Sequence, residues 1–246
     1  MRIAVILALA IGILASAAEA QLLRAWAEKE SGKTYFLFGA GKLDAGDLNA
    51  VLNREGYSVV SRSPLNDMAD SFISFGLGNH GVVNGVLIGW ELNGLTSRET
   101  TTATGSHRAS LAGGYGFVNV GYMAYSMDGL DIYPMLGLGG GGLHLEILAR
   151  RTLSFQQVMD TPEQGVTLNT GGFLLNPALG IDYMLSLSSD EKREGGVIFG
   201  LRLGYVLAPL KGAWEMGGLD ISGGPQASAA GPYVRLMVGL GSRRVF

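Results

Sequence analysis

Two sets of residues in this chain have types that do chemistry. The first is Glu91, Asp182, Arg202 and Arg235, two acids and two guanidiniums, each isolated in an apolar, glycine-rich stretch. Such groups form charge-assisted pairs when they share a low-dielectric space, and burying any of them unpaired costs heavily. The second is Ser110, His144 and Glu146. A hydroxyl, an imidazole and a carboxylate are the nucleophile, base and orienter of an acyl hydrolase. Whether either set meets in space depends on the elements that carry them.

Composition narrows those elements. The 246 residues include 39 Gly and no Cys, with 47% hydrophobic and 16% charged residues. A disordered chain would be more charged and less apolar. The missing Cys excludes a disulfide scaffold and a thiolate metal site. Three scattered His do not make a metal centre, and His80 and His107 read as incidental, one beside a turn and the other at a loop edge. The glycine-rich run 137–142 is followed by no Lys-Ser/Thr and opens no helix, so nucleotide binding is rejected. No cofactor and no metal is expected. A formal net charge of −3 disfavours nucleic acid.

The first 20 residues have the layout of a secretory signal peptide. Met1-Arg2 is a positive start, residues 3–14 are apolar, and Ala18-Glu19-Ala20 is a small-x-small cleavage site. Residues 21–33 read as a lead-in. The remainder, 34–246, is expected to form one domain.

Period-2 alternation dominates that domain. In 197–208, Val197, Phe199, Leu201, Leu203, Tyr205 and Leu207 share one face, against Ile198, Gly200, Arg202, Gly204, Val206 and Ala208. Segments 86–93, 172–187 and 233–241 behave alike. One face is bulky and apolar; the other is small, glycine-rich and carries the charge. That second face is a poor surface for water and a good lining for a narrow barrel whose bulky face meets lipid. A soluble barrel binding an apolar ligand would show the reverse parity.

Eight strands are predicted, at 34–42, 70–81, 85–96, 107–125, 130–148, 170–187, 195–209 and 231–242. Long connections (43–69, 97–106, 149–169, 210–230) alternate with short ones (82–84, 126–129, 188–194). Asn84-Gly85 and Asp128-Gly129 are hairpin turn sequences. Asp44 is expected to cap a helix running through Arg54, and Ser154 to Gln157 is a capping-box spacing. The predicted fold is all-β: a single eight-stranded antiparallel up-and-down transmembrane barrel with short helices in the long loops.

The alternating strands, the alternating loop lengths and the terminal Phe246 resemble the bacterial outer-membrane β-barrels, specifically the small eight-stranded kind typified by OmpA and OmpX. The resemblance covers about residues 34–246. It implies a C-terminal assembly signal, which Val234, Leu236, Val238, Leu240 and Phe246 fit, while Ser242 and Arg244 break the alternation. It also implies an outer-membrane location. The expected partners are outer-membrane lipid, including lipopolysaccharide where present, the assembly machinery, and an external partner of unknown kind meeting the long loops.

On that fold Glu91, Asp182, Arg202 and Arg235 fall inside at similar depth. They are expected to pair across the lumen as a plug, the alternative being a charged constriction in a small pore. The bulky parity of the fifth strand switches at the glycines 139–142, which predicts a β-bulge there. With a bulge, His144 and Glu146 turn inward, with Ser110 on the neighbouring strand within a residue or two of the position opposite Glu146. The leading reading is a structural or interaction platform. The second is a lipid-modifying acyl hydrolase, set against an ordinary polar rim.

Overall fold

The computed structural model describes residues 31–52, 71–101, 107–149, 165–189 and 193–244. Eight long strands form its wall: β1 (Ser31–Lys42), β2 (Ser71–Val83), β3 (Val86–Ser97), β5 (His107–Tyr122), β7 (Leu130–Ala149), β8 (Gly165–Ser189), β9 (Arg193–Lys211) and β12 (Gly231–Arg244). Each pairs antiparallel with the one before and the one after, and β12 pairs back onto β1, so the sheet closes into a ring with no open edge along the wall. Hydrogen-bonded partners followed once around from Ser31 return to β1 at Gly41, ten residues further along. That shear on eight strands tilts them by about 40–45° and leaves an interior only wide enough for side chains.

Short elements decorate the long strands: β4 (Thr100–Thr101) on β5, β6 (Tyr125–Met127) on β7, β10 (Trp214–Met216) on β8, and β11 (Leu219–Ile221) on β10. Two turns have the chemistry their sequences announce. Asn84 and Gly85 have φ of 50° and 74°, and Asp128 and Gly129 have 50° and 88°. Positive φ at both central residues is the type I′ hairpin, which matches strand twist and favours Asn-Gly and Asp-Gly.

The one helix among the described residues is α1 (Gly46–Leu52), in the first long connection. Asp44 does not cap it through its side chain. That carboxylate takes the Lys211 ammonium at 2.7 Å, while the Asp44 carbonyl accepts from the Ser228 amide at 3.2 Å. The predicted helical turn at 154–157 and the signal segment 1–20 lie outside the described residues. No helix among those described is long and apolar enough to cross a membrane.

Alternation along the strands separates two surfaces. The outer wall carries a broad band of large apolar side chains, with Phe36, Phe38, Phe75, Leu77, Trp90, Leu92, Val118, Leu136, Leu138, Leu203, Leu236 and Val238 all exposed. At the same level the interior holds Lys33, Glu91, Asp182, Arg202 and Arg235 with buried tyrosines. Glycines make that filling possible. A Cβ on Gly204 would lie 2.5 Å from the Tyr233 hydroxyl, and one on Gly78 would lie 2.7 Å from the Tyr35 ring. The tyrosines therefore lie across bare backbone on the neighbouring strand.

Towards the long connections the two surfaces exchange character. Beyond the glycines 139–142, Leu143, Leu145 and Ile147 point inward, where they join Leu111, Leu174, Leu48 and Trp214 in a buried apolar cluster. Outward from the same strands stand Arg108, His144, Glu146 and Asn169. The segments 43–48 and 214–229 fold over this end and bury Leu43, Leu48, Ala227 and Ala229 against the cluster. The Trp214 indole donates to the Pro225 carbonyl at 2.6 Å.

Candidate functional site

The interior charges form two layers. In the layer nearer the short turns, Lys33 of β1 donates to Asp131 of β7 at 2.5 Å and also to Asp182 of β8. The Ser126 hydroxyl donates to Asp131 at 2.6 Å. In the next layer, Glu91 of β3 pairs with Arg202 of β9, and its other oxygen lies 3.8 Å from Arg235 of β12. Tyrosines join the layers. Arg202 donates to the Tyr133 hydroxyl at 3.0 Å, and that hydroxyl donates to Asp182 at 2.8 Å. Arg202 also donates to the Tyr35 hydroxyl, which donates to Glu91, both at 3.3 Å.

These contacts run straight across the ring. β1 and β7, β3 and β9, and β5 and β12 each stand four places apart around eight strands. The diametral ties are therefore Lys33–Asp131, Glu91–Arg202 and the bond from Arg235 to the Tyr115 hydroxyl. Arg235 also stacks 3.7 Å above the Tyr233 ring and donates to Ser74 at 3.3 Å. Among the described residues the buried cations Lys33, Arg202 and Arg235 match the buried acids Glu91, Asp131 and Asp182 in number. The cross-ring ties lie at successive heights, with the apolar cluster above them.

The four residues singled out from the sequence are all inside, with their side chains almost wholly buried. Their pairing differs from a single layer of four. Arg202 and Arg235 are direct cross-strand partners, so Glu91 answers both, and Asp182 belongs to Lys33 one layer away. The expected lead-in 21–33 includes Lys33, but β1 begins at Ser31 and places Lys33 on the face of Tyr35 and Leu37. Asp131 shares the inward parity of Tyr133 and Met135. Lys33 lies one residue before the predicted strand start at 34, and Asp131 is the second residue of the predicted strand 130–148. His80 is not incidental: it is buried, 5.3 Å from the centroids of both Tyr35 and Tyr133.

The second set needs a correction. No bulge occurs at residues 139–142, because β5–β7 and β7–β8 run in unbroken register through them. His144 and Glu146 therefore face outward, and so does Ser110. The switch in bulky parity records a change of surroundings on the two sides of an uninterrupted strand. Ser110 is the direct cross-strand partner of Glu146. His144 pairs with Asn169 of β8, and its Nδ1 lies 2.7 Å from the Asn169 Oδ1. In the last strand, Val234, Leu236, Val238 and Leu240 all face outward and are exposed; Phe246 lies outside the described residues.

The fold and site together define an all-β protein: a closed antiparallel ring of eight strands, apolar outside and cross-braced by buried charge inside. No protein-family model matches the chain, and no curated protein matches it. Among solved structures it is similar to the attachment invasion locus protein Ail of Yersinia pestis, with 8% identity over 87% of this chain and 99% of that one and a TM-score of 0.42. It is also similar to the outer membrane protein OprG of Pseudomonas aeruginosa, with 12% identity over 89% and 98% and a TM-score of 0.35. The transport unit of the autotransporter AIDA-I from Escherichia coli gives 9% identity over 89% and 91%, with a TM-score of 0.30.

Proposed function

We propose that this chain is an exported outer-membrane β-barrel whose interior is plugged, serving as a structural or interaction platform that presents its capped end to the exterior. The observation that carries this reading is the exchange of surfaces along the wall. Below residues 139–142 the outward side chains of β5, β7 and β8 are apolar and the charge lies inside; above them the same strands carry Arg108, Ser110, His144, Glu146, Thr167 and Asn169 outside and apolar side chains inside. A soluble ring has no reason to invert, since water would meet its outer face at every height. A ring standing in a bilayer inverts where it leaves the hydrocarbon, and an apolar band on the order of 25 Å tall is what such barrels present. Tyr122, Tyr125 and Tyr183 are exposed near the end that carries the short turns, where an interfacial aromatic girdle belongs.

On this reading the signal segment directs export, the outward residues of β12 are read by the assembly machinery, and the outer wall contacts lipid, including lipopolysaccharide where present. The cap meets the external partner.

Purified protein is expected to run at different mobilities on a detergent gel before and after boiling, because a closed barrel resists cold detergent. Equal mobility, with the protein in the soluble fraction of cells, would falsify the membrane placement. In planar bilayers the same preparation should give no steady unit currents. Reproducible single-channel steps would replace the plug by a charged constriction in a pore.

A further inference from the structure

We infer that two copies of this chain associate side by side in the membrane through the outward face of β1, β2 and β3, with the Asn79 amide of one copy bonded to the Asn79 amide of the other. This association presupposes the membrane placement above. A polar pair stands where the wall is otherwise apolar. Asn79 Nδ2 donates to the Thr34 hydroxyl at 2.7 Å, and both side chains face outward. In register their row reads Leu240, Thr34, Asn79, Trp90, Val118 and Leu138.

The height of that row puts the pair in hydrocarbon. Asn79 stands four residues before Val83, whose row continues through Val86 to Tyr122, the girdle at the end with the short turns. At about 3.3 Å per residue and a tilt of about 40–45°, that stretch of strand rises roughly 10 Å, well inside an apolar band on the order of 25 Å tall. An amide at this depth has no water to bond. Asn79 brings two N–H donors and an acceptor oxygen. Thr34 takes one donor, and among the described residues the other donor and the oxygen have no partner. What remains is self-complementary. Across a two-fold axis each amide offers the donor and the acceptor that the other needs, and lipid tails offer neither. That complementarity selects a second copy as the occupant.

The flanking strands fit the same axis. A two-fold interface sets one residue against a second, and the second against the first. Partners followed once around the ring climb ten residues over eight strands, so two strands of travel climb about two to three residues. Trp90 of β3, in the row of Thr34, is therefore level with Phe36 of β1. These rings stand on either side of Asn79 and are 42% and 74% exposed, free to pack outward. Rotation about an axis through Asn79, along the membrane normal, brings Phe36 of each copy onto Trp90 of the other. Two aromatic pairs then flank the amide pair. Beneath the amides Gly32 and Gly81, direct partners on the outward face, present bare backbone, so no side chain there holds the two walls apart.

The test uses the full-length protein. Its dimer dissociation constant is read by sedimentation equilibrium in density-matched detergent micelles. Disulfide formation is read in lipid vesicles, where the native chain contributes no Cys. The wild type is expected to show a monomer–dimer equilibrium. Asn79→Leu should raise the dissociation constant by about threefold to thirtyfold, the range for a hydrogen bond between membrane-spanning segments. Leu179→Ala, exposed on β8 directly across the ring from β2, should leave it unchanged. Both variants put an apolar residue on the lipid-facing wall and should keep the mobility change on boiling. A Phe36→Cys protein mixed with a Trp90→Cys protein should crosslink under oxidation, and neither should crosslink alone. A wild type that keeps the mobility change yet stays monomeric overturns the pairing alone; equal mobility before and after boiling removes the membrane placement with it. An unchanged dissociation constant in Asn79→Leu overturns the role of the amide. Phe36→Cys linking to itself as readily as to Trp90→Cys overturns the axis.

Discussion

Glu91→Gln is expected to destabilise the folded ring by about 3–5 kcal/mol, the cost of breaking a buried pair by removing one partner. The substitution keeps the side chain's shape, removes its charge and replaces one acceptor oxygen by a donor amide. Arg202 and Arg235 are cross-strand neighbours, both wholly buried, and Glu91 is the acid that answers both. Without it two adjacent guanidiniums face each other in a space too narrow for bulk water to screen. A matched control is Glu194→Gln. That pair with Arg243, at 2.8 Å, is part-exposed at the end of the wall and should change stability by less than about 1 kcal/mol. The measurement is the urea midpoint for loss of the fast gel form after refolding into lipid. A Glu91→Gln midpoint equal to that of Glu194→Gln would remove the claim that the plug holds the ring together. Replacing Glu91 and Arg202 together by apolar residues of similar volume should recover part of the loss, because the pair's own desolvation cost disappears with it.

Much of the fold was legible because one physical rule governs it over most of its length. A wall with large apolar side chains outside and a crowded interior writes bulky residues and small residues on alternate positions. The eight strands and the inward places of Glu91, Asp182, Arg202 and Arg235 follow from that alternation, and the two type I′ turns follow from Asn84-Gly85 and Asp128-Gly129. The same rule misled at residues 139–142. A change of parity has two physical causes, an extra residue in the strand or a change in what lies on either side of it, and the sequence of β7 alone does not separate them. The cross-strand register does, since Gly142 pairs with both Gly114 and Gly171 without a break. Lys33 and Asp131 escaped for a different reason. They lie at strand ends, where alternation has too few residues to read, and their meeting depends on β1 and β7 standing opposite each other across the ring. The His144–Asn169 contact was likewise out of reach, because it depends on the register of β8, which begins at Gly165, earlier than alternation indicated.

Leu236→Arg and Thr167→Arg make the second large contrast. Both residues are outward-facing and exposed, Leu236 at 59%, so a water-surrounded ring would accept Arg at either place with little change in stability. Leu236 lies midway along β12, between Phe38 of β1 and Leu201 of β9 in register. In a bilayer that is close to the centre of the hydrocarbon, where Arg costs about 2–4 kcal/mol, whereas Thr167 stands beyond the inversion, where the cost is about 0–1 kcal/mol. In refolded protein in lipid vesicles, the Leu236→Arg midpoint should therefore fall well below that of Thr167→Arg. Equal midpoints would place water against Leu236 and dissolve the argument from the inverted wall. The contrast is sharper than either variant alone, because the two substitutions introduce the same side chain on the same kind of strand and differ in height along the wall.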